Sequence, residues 1–249
     1  MAQPLAGELR GAACGTIVEF IGLPGSGKST IAHALAELLS ARGFVVSEPT
    51  WRNDHASRPA VRALRKASLA AAASVRGPRR AGDLLRSLVQ SRQPTRRELL
   101  QLAINALYLA ETATQCARSE GIHVFDQGVL QQLWSVLYRA GDSNDAERYY
   151  AGQLAGRAAA TWVVMIDTPL GAVQRRLLAR TGGASRFERH LLATGPQAVL
   201  DRAMFAQRRV EALANALHAA GAARVMRVSG AGDLPIRHAA RAVADWVTS

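Results

Sequence analysis

The chain contains little cysteine, and this shortage excludes one class of protein. Cys14 and Cys116 are the only cysteines among 249 residues. Two cysteines without a CxxC motif cannot form the disulfide framework of a small secreted domain. No apolar run reaches the roughly 20 residues that a membrane-spanning helix needs. Residues 1–15 also lack the basic and apolar segments of a secretory signal. We therefore expect no membrane span, and the cytoplasm is the expected location.

The chain is also poor in lysine and in aromatic residues, although its net charge is +12. Lysine occurs only at Lys28 and Lys66, so arginine carries nearly all of the positive charge. Such a charge suits nucleic acid, an anionic membrane or an anionic substrate. Aromatic residues make up only 5% of the chain and do not alternate with the basic segments, as a platform for single-stranded nucleic acid requires. A coding bias toward arginine and alanine explains the charge equally well, and we expect no nucleic-acid partner.

Hydrophobic residues make up 49% of the chain, which is enough for a sizeable core. Short apolar segments with strand character alternate with long segments of helical spacing. This alternation predicts an α/β fold, with a five-stranded parallel sheet and helices on both faces. The predicted strands are 16–21, 44–47, 122–126, 161–167 and 224–228.

Local signals place several helix boundaries. Gly43 is the expected end of the helix that follows the first strand, because glycine favours the left-handed conformation found there. Thr95–Glu98, with the sequence TRRE, fits a capping box that opens a helix running to about residue 119. Segment 52–97 contains many arginines and no strand pattern. We interpret it as an inserted Arg-rich helical region, broken near Gly77-Pro78 and Pro94.

A glycine-rich loop follows the first predicted strand. Gly22-x-x-x-x-Gly27-Lys28-Ser29 matches the P-loop pattern in full. Its glycines allow the backbone N–H groups to point inward around an anion, and the following helix adds its positive N-terminal dipole. Lys28 would reach the β- and γ-phosphates, and Ser29 would bind Mg²⁺. The pattern therefore predicts ATP and Mg²⁺ as cofactors, held by Gly22, Pro24, Gly25, Ser26, Gly27, Lys28, Ser29 and Thr30.

Two carboxylates end predicted strands. Asp126 closes the third strand, where it would hold the water shell of Mg²⁺ or orient the phosphoryl acceptor. It would serve equally well as the N-cap of the next helix. Glu48 precedes Pro49, which restricts it to an extended conformation and projects it beyond the carboxyl edge of the sheet. The alternative for Glu48 is an ordinary solvated loop carboxylate.

Segment 174–190 is rich in arginine. Two arginine clusters flank the flexible stretch Thr181–Ala184, and they contain Arg175, Arg176, Arg180, Arg186 and Arg189. Guanidinium groups beside a glycine hinge suit a lid that closes over phosphates and excludes water. The alternative is a solvated basic helix end.

These motifs together resemble the P-loop nucleoside and nucleotide kinases, above all thymidylate kinases and deoxynucleoside kinases. EPTWRN at 48–53 resembles the segment that follows the second strand in deoxynucleoside kinases. SRFE at 185–188 resembles part of the thymidylate kinase lid. VSGAG at 228–232 occupies the position of the loop that contacts adenine in the family. The resemblance covers most of the chain outside 52–97. It implies Glu48 as a general base or metal-linked carboxylate, and roles for Arg176, Arg180, Arg186, Ser229 and Gly230. Either Glu48 or Asp126 would receive the hydroxyl proton, and Asp126 together with Ser29 would hold the metal.

The chain departs from the thymidylate kinase pattern on the acceptor side. Pro24 stands where that family carries an Asp in the phosphate loop, and Gln127 follows Asp126 where the family has an Arg. Segment 107–115 lacks the acceptor-binding Arg of the family's helix. The resemblance therefore implies an intact donor half and a rebuilt acceptor half, to which the Arg-rich segment 52–97 could contribute.

The residues predict a kinase that moves the γ-phosphoryl group of ATP to a small-molecule acceptor, with a nucleoside or nucleotide as the first choice. A sugar or natural product is an alternative acceptor. A further alternative is an ATPase module that acts on a protein or nucleic acid. With lysine only at positions 28 and 66, the Asn-Lys-x-Asp motif of GTPases is impossible. We expect a single P-loop kinase domain over 1–249, with the insertion at 52–97 and the lid at 174–190, and a homodimer is compatible with it.

Overall fold

The structure is a computed structural model, and a parallel sheet lies at its centre. It describes residues 15–55, 58–140, 144–156, 160–179, 187, 190, 196–230 and 234–249. Five strands pair in the order β2-β3-β1-β4-β5, and every pairing is parallel. The strands are β1 (Thr16–Ile21), β2 (Val46–Ser47), β3 (Ile122–Phe125), β4 (Ala160–Asp167) and β5 (Arg224–Ser229). The predicted α/β fold with five parallel strands is confirmed.

Helices cover both faces of this sheet. The described residues form α1 (Lys28–Ala41), α2 (Pro49–His55), α3 (Pro59–Arg76), α4 (Pro78–Gln90), α5 (Arg96–Ala117), α6 (Val129–Leu137), α7 (Asn144–Ala155), α8 (Leu170–Leu178), α9 (Pro196–Ala219) and α10 (Leu234–Val247). One apolar cluster joins α1 and α10 to one face of the sheet, and a larger cluster joins α5, α6 and α9 on the other. β1 is buried along its whole length, as expected of a central parallel strand that is covered on both sides. None of the helices in the described ranges combines the length and the apolar character that crossing a membrane requires.

The bounds of β1 match the prediction, and those of the other four strands differ by one to two residues. β2 starts at Val46 instead of Phe44, because the Phe44 amide bonds back to the carbonyl of Leu39 in α1. Val45 next to it is 73% exposed. At the other end of the sheet, β5 continues to Ser229.

Most helix boundaries follow the local signals. Gly43 has a φ of 86° and its amide bonds to the Ser40 carbonyl, just after α1 ends. The Thr95 hydroxyl accepts from the Glu98 amide at 3.1 Å, so Thr95 caps α5 as predicted. α3 and α4 meet at Gly77. The described part of 52–97 is therefore mostly helical, with the predicted breaks at Gly77 and at 91–95 next to Pro94.

One prediction about Pro49 is incomplete. We expected this proline to stop the second strand, but it also begins α2. Proline is favoured at the first helical position, where its missing N–H is no loss. The helical region after β2 thus starts at 49 instead of 52. The division into one domain over 1–249, with an insertion and a lid, stays a prediction.

The sheet topology gathers three segments at one edge. Because β1, β2 and β3 are parallel neighbours, their carboxyl ends lie side by side. The P-loop follows β1, Glu48 follows β2 and Asp126 follows β3. Ligands in open α/β folds bind at this edge of the sheet.

Candidate phosphate-binding and catalytic site

The P-loop is a tight turn between β1 and α1. Gly25 and Gly27 have φ values of 84° and 97°, a backbone region that glycine adopts without a steric cost. The side chain of Lys28 is buried, and its Nζ donates to the carbonyls of Gly22 and Leu23 at 2.7 and 2.9 Å. The loop therefore holds the Lys28 ammonium against its own backbone at the start of α1.

The loop also carries polar groups that fit an anion. The Ser26 hydroxyl is buried and forms no hydrogen bond with any residue that the structure describes. Nη1 of Arg176, from α8, lies 3.4 Å from the Gly25 carbonyl and 3.3 Å from that of Ser26. A phosphate would bring acceptor oxygens to this serine and negative charge to Lys28 and Arg176. The residues present thus fit a nucleotide phosphate.

Asp126 joins the P-loop to the segment after β2. Its Oδ2 accepts from the Ser29 hydroxyl at 2.8 Å, and its Oδ1 accepts from the Thr50 hydroxyl at 2.7 Å. Asp126 does not cap α6, because Gly128 occupies the N-cap position. The N-cap interpretation of this aspartate is therefore wrong. The sequence analysis did not predict a role for Thr50, although this residue directly follows Glu48-Pro49.

The pair Ser29 and Asp126 fits Mg²⁺. Hydroxyl and carboxylate oxygens are the hard ligands that this ion prefers, and Mg²⁺ usually takes one or two carboxylates together with substrate phosphates. Across the described ranges, no group of three or more His, Cys, Asp or Glu side chains could hold a metal ion. A magnesium site here would accordingly need oxygens from the nucleotide.

Glu48 lies beside this group in a partly buried position. Its side chain is 15% exposed, and Nδ1 of His33 in α1 lies 3.1 and 3.0 Å from its two carboxylate oxygens. Burial raises the pKa of the Glu48 carboxyl; the hydrogen bond and charge of His33 oppose this shift, and the nearby charge of Asp126 adds to it. An ordinary solvated carboxylate does not fit these surroundings. No pattern in the sequence pointed to His33.

A further buried carboxylate, Glu19, contacts the helix that lines the site. Glu19 is fully buried in β1, and it accepts hydrogen bonds from the Leu130 amide and, at 3.3 Å, from the Gln131 amide. The carboxylate thus lies at the positive N-terminus of α6. Gln131 in turn accepts from the Gly22 amide at 3.2 Å. Glu19 was missed, although it is the only charged residue in the apolar strand TIVEFI.

A pocket of about 240 Å³ lies between the P-loop and α6. Its far wall is aromatic and contains Trp134, Tyr138 and Phe187. The rings of Trp134 and Tyr138 are stacked with centroids 5.1 Å apart, and the Tyr138 hydroxyl lies 2.6 Å from Nδ1 of His190. Gln127 also lines this pocket. The space next to the phosphate loop is therefore aromatic and amide-lined.

Of the other predicted site residues, some lie within the described ranges and two lie outside them. Pro24 and Thr30 line the loop pocket, and Gly230 lies against the Ser26 carbonyl with its amide bonded to Asp167 at 2.7 Å. Its neighbour Ser229 is exposed at the end of β5. Arg180 and Arg186 lie outside the described residues, as does most of the predicted lid. Their assignment as site residues stays a prediction.

Comparisons with known proteins agree with this architecture. A family model described as AAA domain matches residues 17–194. The solved structure of thymidylate kinase from Candida albicans aligns with 94% of this chain and 92% of that chain, at 12% identity and a TM-score of 0.51. The solved structure of APE1195 covers 80% of this chain and 97% of that chain, at 18% identity and a TM-score of 0.35. No curated protein matches the chain significantly. The first structure shows that this chain shares the fold of that thymidylate kinase.

Proposed function

We propose that this chain, which belongs to the AAA domain family, is an ATP-dependent kinase that transfers the γ-phosphoryl group to a small-molecule acceptor. The observation that carries this proposal is the contact between Asp126 and Ser29 at 2.8 Å. It joins the end of β3 to the P-loop and leaves Glu48 at the same edge of the sheet. The proposed triphosphate site therefore lies next to two carboxylates whose surroundings differ.

The donor half would bind the triphosphate of ATP. The loop amides and Lys28 would hold the β- and γ-phosphates, and Arg176 would lie beside them. Mg²⁺ held by Ser29 and Asp126 would neutralise charge on the phosphate oxygens. Arg180 and Arg186 belong to the same proposal as lid residues that add positive charge during transfer.

The acceptor half would position a hydroxyl group. The Glu48 carboxylate would take the proton of that hydroxyl as the acceptor oxygen forms its bond to the γ-phosphorus and the bond to the ADP oxygen breaks. A general base works best when its pKa lies nearer to the working pH, and burial shifts Glu48 in that direction. Both oxygens of Asp126 already accept hydroxyl hydrogen bonds, which favours a metal-linked and orienting role for it.

The acceptor that fits best carries a flat ring and a free hydroxyl, such as a nucleoside. Stacked Trp134 and Tyr138 support this choice, because aromatic walls bind flat rings. Gln127 supports a neutral acceptor over a monophosphate, since an amide cannot neutralise a phosphate charge. A cytoplasmic location and acceptor contacts from arginines of segment 52–97 belong to the same proposal.

An acceptor screen tests the proposal. The chain is incubated with ATP, Mg²⁺ and a panel of nucleosides, nucleotides and sugars, and products are detected by mass spectrometry. We expect ATP consumption that depends on one class of acceptor and a product heavier by one phosphoryl group. Lys28→Ala should lower the rate at least about 100-fold, since it removes charge stabilisation of the transferring group.

Lys66→Ala is the matched control, because these are the only two lysines in the chain. Lys66 pairs with Asp54 at 3.3 Å and should leave the rate nearly unchanged. Rapid ATP hydrolysis without any acceptor, and with no phosphorylated product across the panel, would replace the kinase by an ATPase.

A further inference from the structure

A second cavity lies away from the phosphate loop. It has a volume of about 410 Å³ and lies among α4, α5, α6 and α7. Val129 and Gln132 of α6 line it, whereas Gln131 and Trp134 of the same helix line the loop pocket. The two cavities are therefore separate spaces that share α6 as a wall.

The hollow exists because one face of α5 carries only small residues. Ala106, Ala110, Ala113 and Ala117 all line the cavity. Their spacing places them on one side of the helix. Larger side chains at these positions would fill the space between α5 and α7. The volume lies within the range that pockets for small organic ligands occupy, about 300–1,000 Å³.

The charged groups of this cavity have one sign. Arg80 and Arg118 line it and are exposed to solvent, and no described residue of the lining is acidic. The surroundings of the two arginines within the cavity are apolar or neutral. An anionic group at this rim would thus meet positive charge with little competing negative charge from the lining.

A tyrosine hydroxyl adds a hydrogen-bond donor inside. The side chain of Tyr150 lines the cavity and is buried. Burial raises the pKa of this phenol, and the nearby Gln132 amide offsets the shift only in part. The hydroxyl therefore stays protonated at neutral pH. The hydrogen bond with Gln132 lowers the pKa, so the amide donates to the phenol oxygen, and the phenol proton has no acceptor among the described residues. It can donate to a ligand.

We propose that this cavity binds a small organic anion with an apolar body. The apolar body would lie along the alanine face of α5, the Tyr150 hydroxyl would donate to a polar atom of the ligand, and the anionic group would meet Arg80 and Arg118. This site is separate from the phosphate loop, because it lies on the other side of α6.

The test uses anilinonaphthalene sulfonate, an aryl sulfonate whose fluorescence rises in apolar surroundings. The full chain is titrated with the probe in the presence of saturating Mg²⁺-ADP, which occupies the phosphate loop. We expect saturation at one probe per chain. Displacement of the probe by Mg²⁺-ADP would place it in the loop pocket and overturn the proposal.

Two glycine variants test the location. Gly152 lines the cavity on the exposed side of α7, and a Cβ added there meets nothing within 4 Å. Gly152→Leu should therefore fold normally, enter the cavity and weaken probe binding at least about tenfold, since it occupies ligand space. Gly82→Leu is the matched control: Gly82 is also helical, exposed and without neighbours within 4 Å, but it lies outside the cavity.

Arg118→Gln gives an independent measurement, because an exposed arginine can be replaced without disturbing the core. It should weaken the sulfonate about tenfold, as expected for the loss of a hydrogen bond to a charged group. The proposal fails if Gly152→Leu and Arg118→Gln bind the probe like the parent chain. It also fails if Gly82→Leu loses as much affinity as Gly152→Leu.

Discussion

Glu48 and Asp126 are close enough for the charge of Asp126 to raise the pKa of Glu48, yet their partners differ. Asp126 accepts two hydroxyl hydrogen bonds, whereas Glu48 faces the imidazole of His33. Neighbouring carboxylates in different environments take different roles in acid–base chemistry. At the residue scale, the proposed division of work is Asp126 for metal and orientation and Glu48 for the proton.

This division predicts the pH dependence of the kinase. Activity requires ionised Glu48, so kcat/KM should fall as the pH drops through the Glu48 pKa, which lies above the ordinary value of 4.5. His33→Phe should shift this acid limb to higher pH, because His33 lowers the Glu48 pKa. Glu48→Gln should lower kcat by roughly 100- to 10,000-fold, the usual contribution of a general base, and abolish the limb. Steady-state kinetics between pH 5 and 9 provide the measurement.

Asp126→Asn serves as the comparison for Glu48→Gln. Its loss of activity should be partly restored by excess Mg²⁺ or Mn²⁺, because the variant keeps one oxygen ligand. Glu48→Gln should show no such rescue. If both variants keep the acid limb and lose activity equally, the two carboxylates do not divide the work as proposed.

The sequence predicted both carboxylates and Ser29, but not the contacts that His33 and Thr50 make with the carboxylates. Pro49 after Glu48 and the apolar run before Asp126 are local signals. His33 and Thr50 reach these carboxylates only because α1 and the start of α2 approach the same sheet edge. That approach depends on which strands pair, and a pattern within one segment does not contain it.

At the element scale, the turn between β3 and α6 depends on one glycine. A Cβ on Gly128 would overlap the side chain of Glu19, which is fixed in β1 by the first turn of α6. Gly128→Ala should lower the free energy of unfolding by about 1–3 kcal/mol, as overpacking of a buried site does. Urea unfolding followed by circular dichroism measures the change.

Gly82→Ala is the control for this prediction, because Gly82 is exposed inside α4 and a Cβ added there meets nothing within 4 Å. It should raise the free energy of unfolding by up to about 1 kcal/mol, since alanine favours helix over glycine. Equal stability of the two alanine variants would show that Glu19 does not restrict position 128.

Element boundaries show where local signals suffice. The capping residue Thr95 and the terminal Gly43 were predicted correctly, because each acts through its own neighbours in the chain. The start of β2 was not, because Phe44 bonds to α1 instead of β3. The sequence analysis predicted that Pro49 ends a strand but not that it begins α2, although proline is favoured in the first turn of a helix.

At the scale of the whole molecule, alternation of strands and helices predicted the α/β fold. It did not predict the strand order, which determines which segments meet at the site. The order β2-β3-β1-β4-β5 brings the segments after β1, β2 and β3 together. These segments are separated by long helices in the chain. The site is therefore a property of the assembled sheet, and its ligand should stabilise the fold as a whole.

Nucleotide binding should raise the unfolding temperature of the chain. A ligand at 100 times its Kd stabilises the folded state by about 2.7 kcal/mol. For a domain of this size each kcal/mol shifts Tm by roughly 2–4 °C, so Mg²⁺-ADP should raise Tm by about 5–10 °C.

The Lys28→Ala variant should lose most of this shift, because the ammonium that would meet the phosphates is gone. Lys66→Ala should keep it, and differential scanning fluorimetry compares the three chains at one nucleotide concentration. An equal shift for all three would mean that the nucleotide stabilises the chain without using the P-loop, and the proposed donor site would then be wrong.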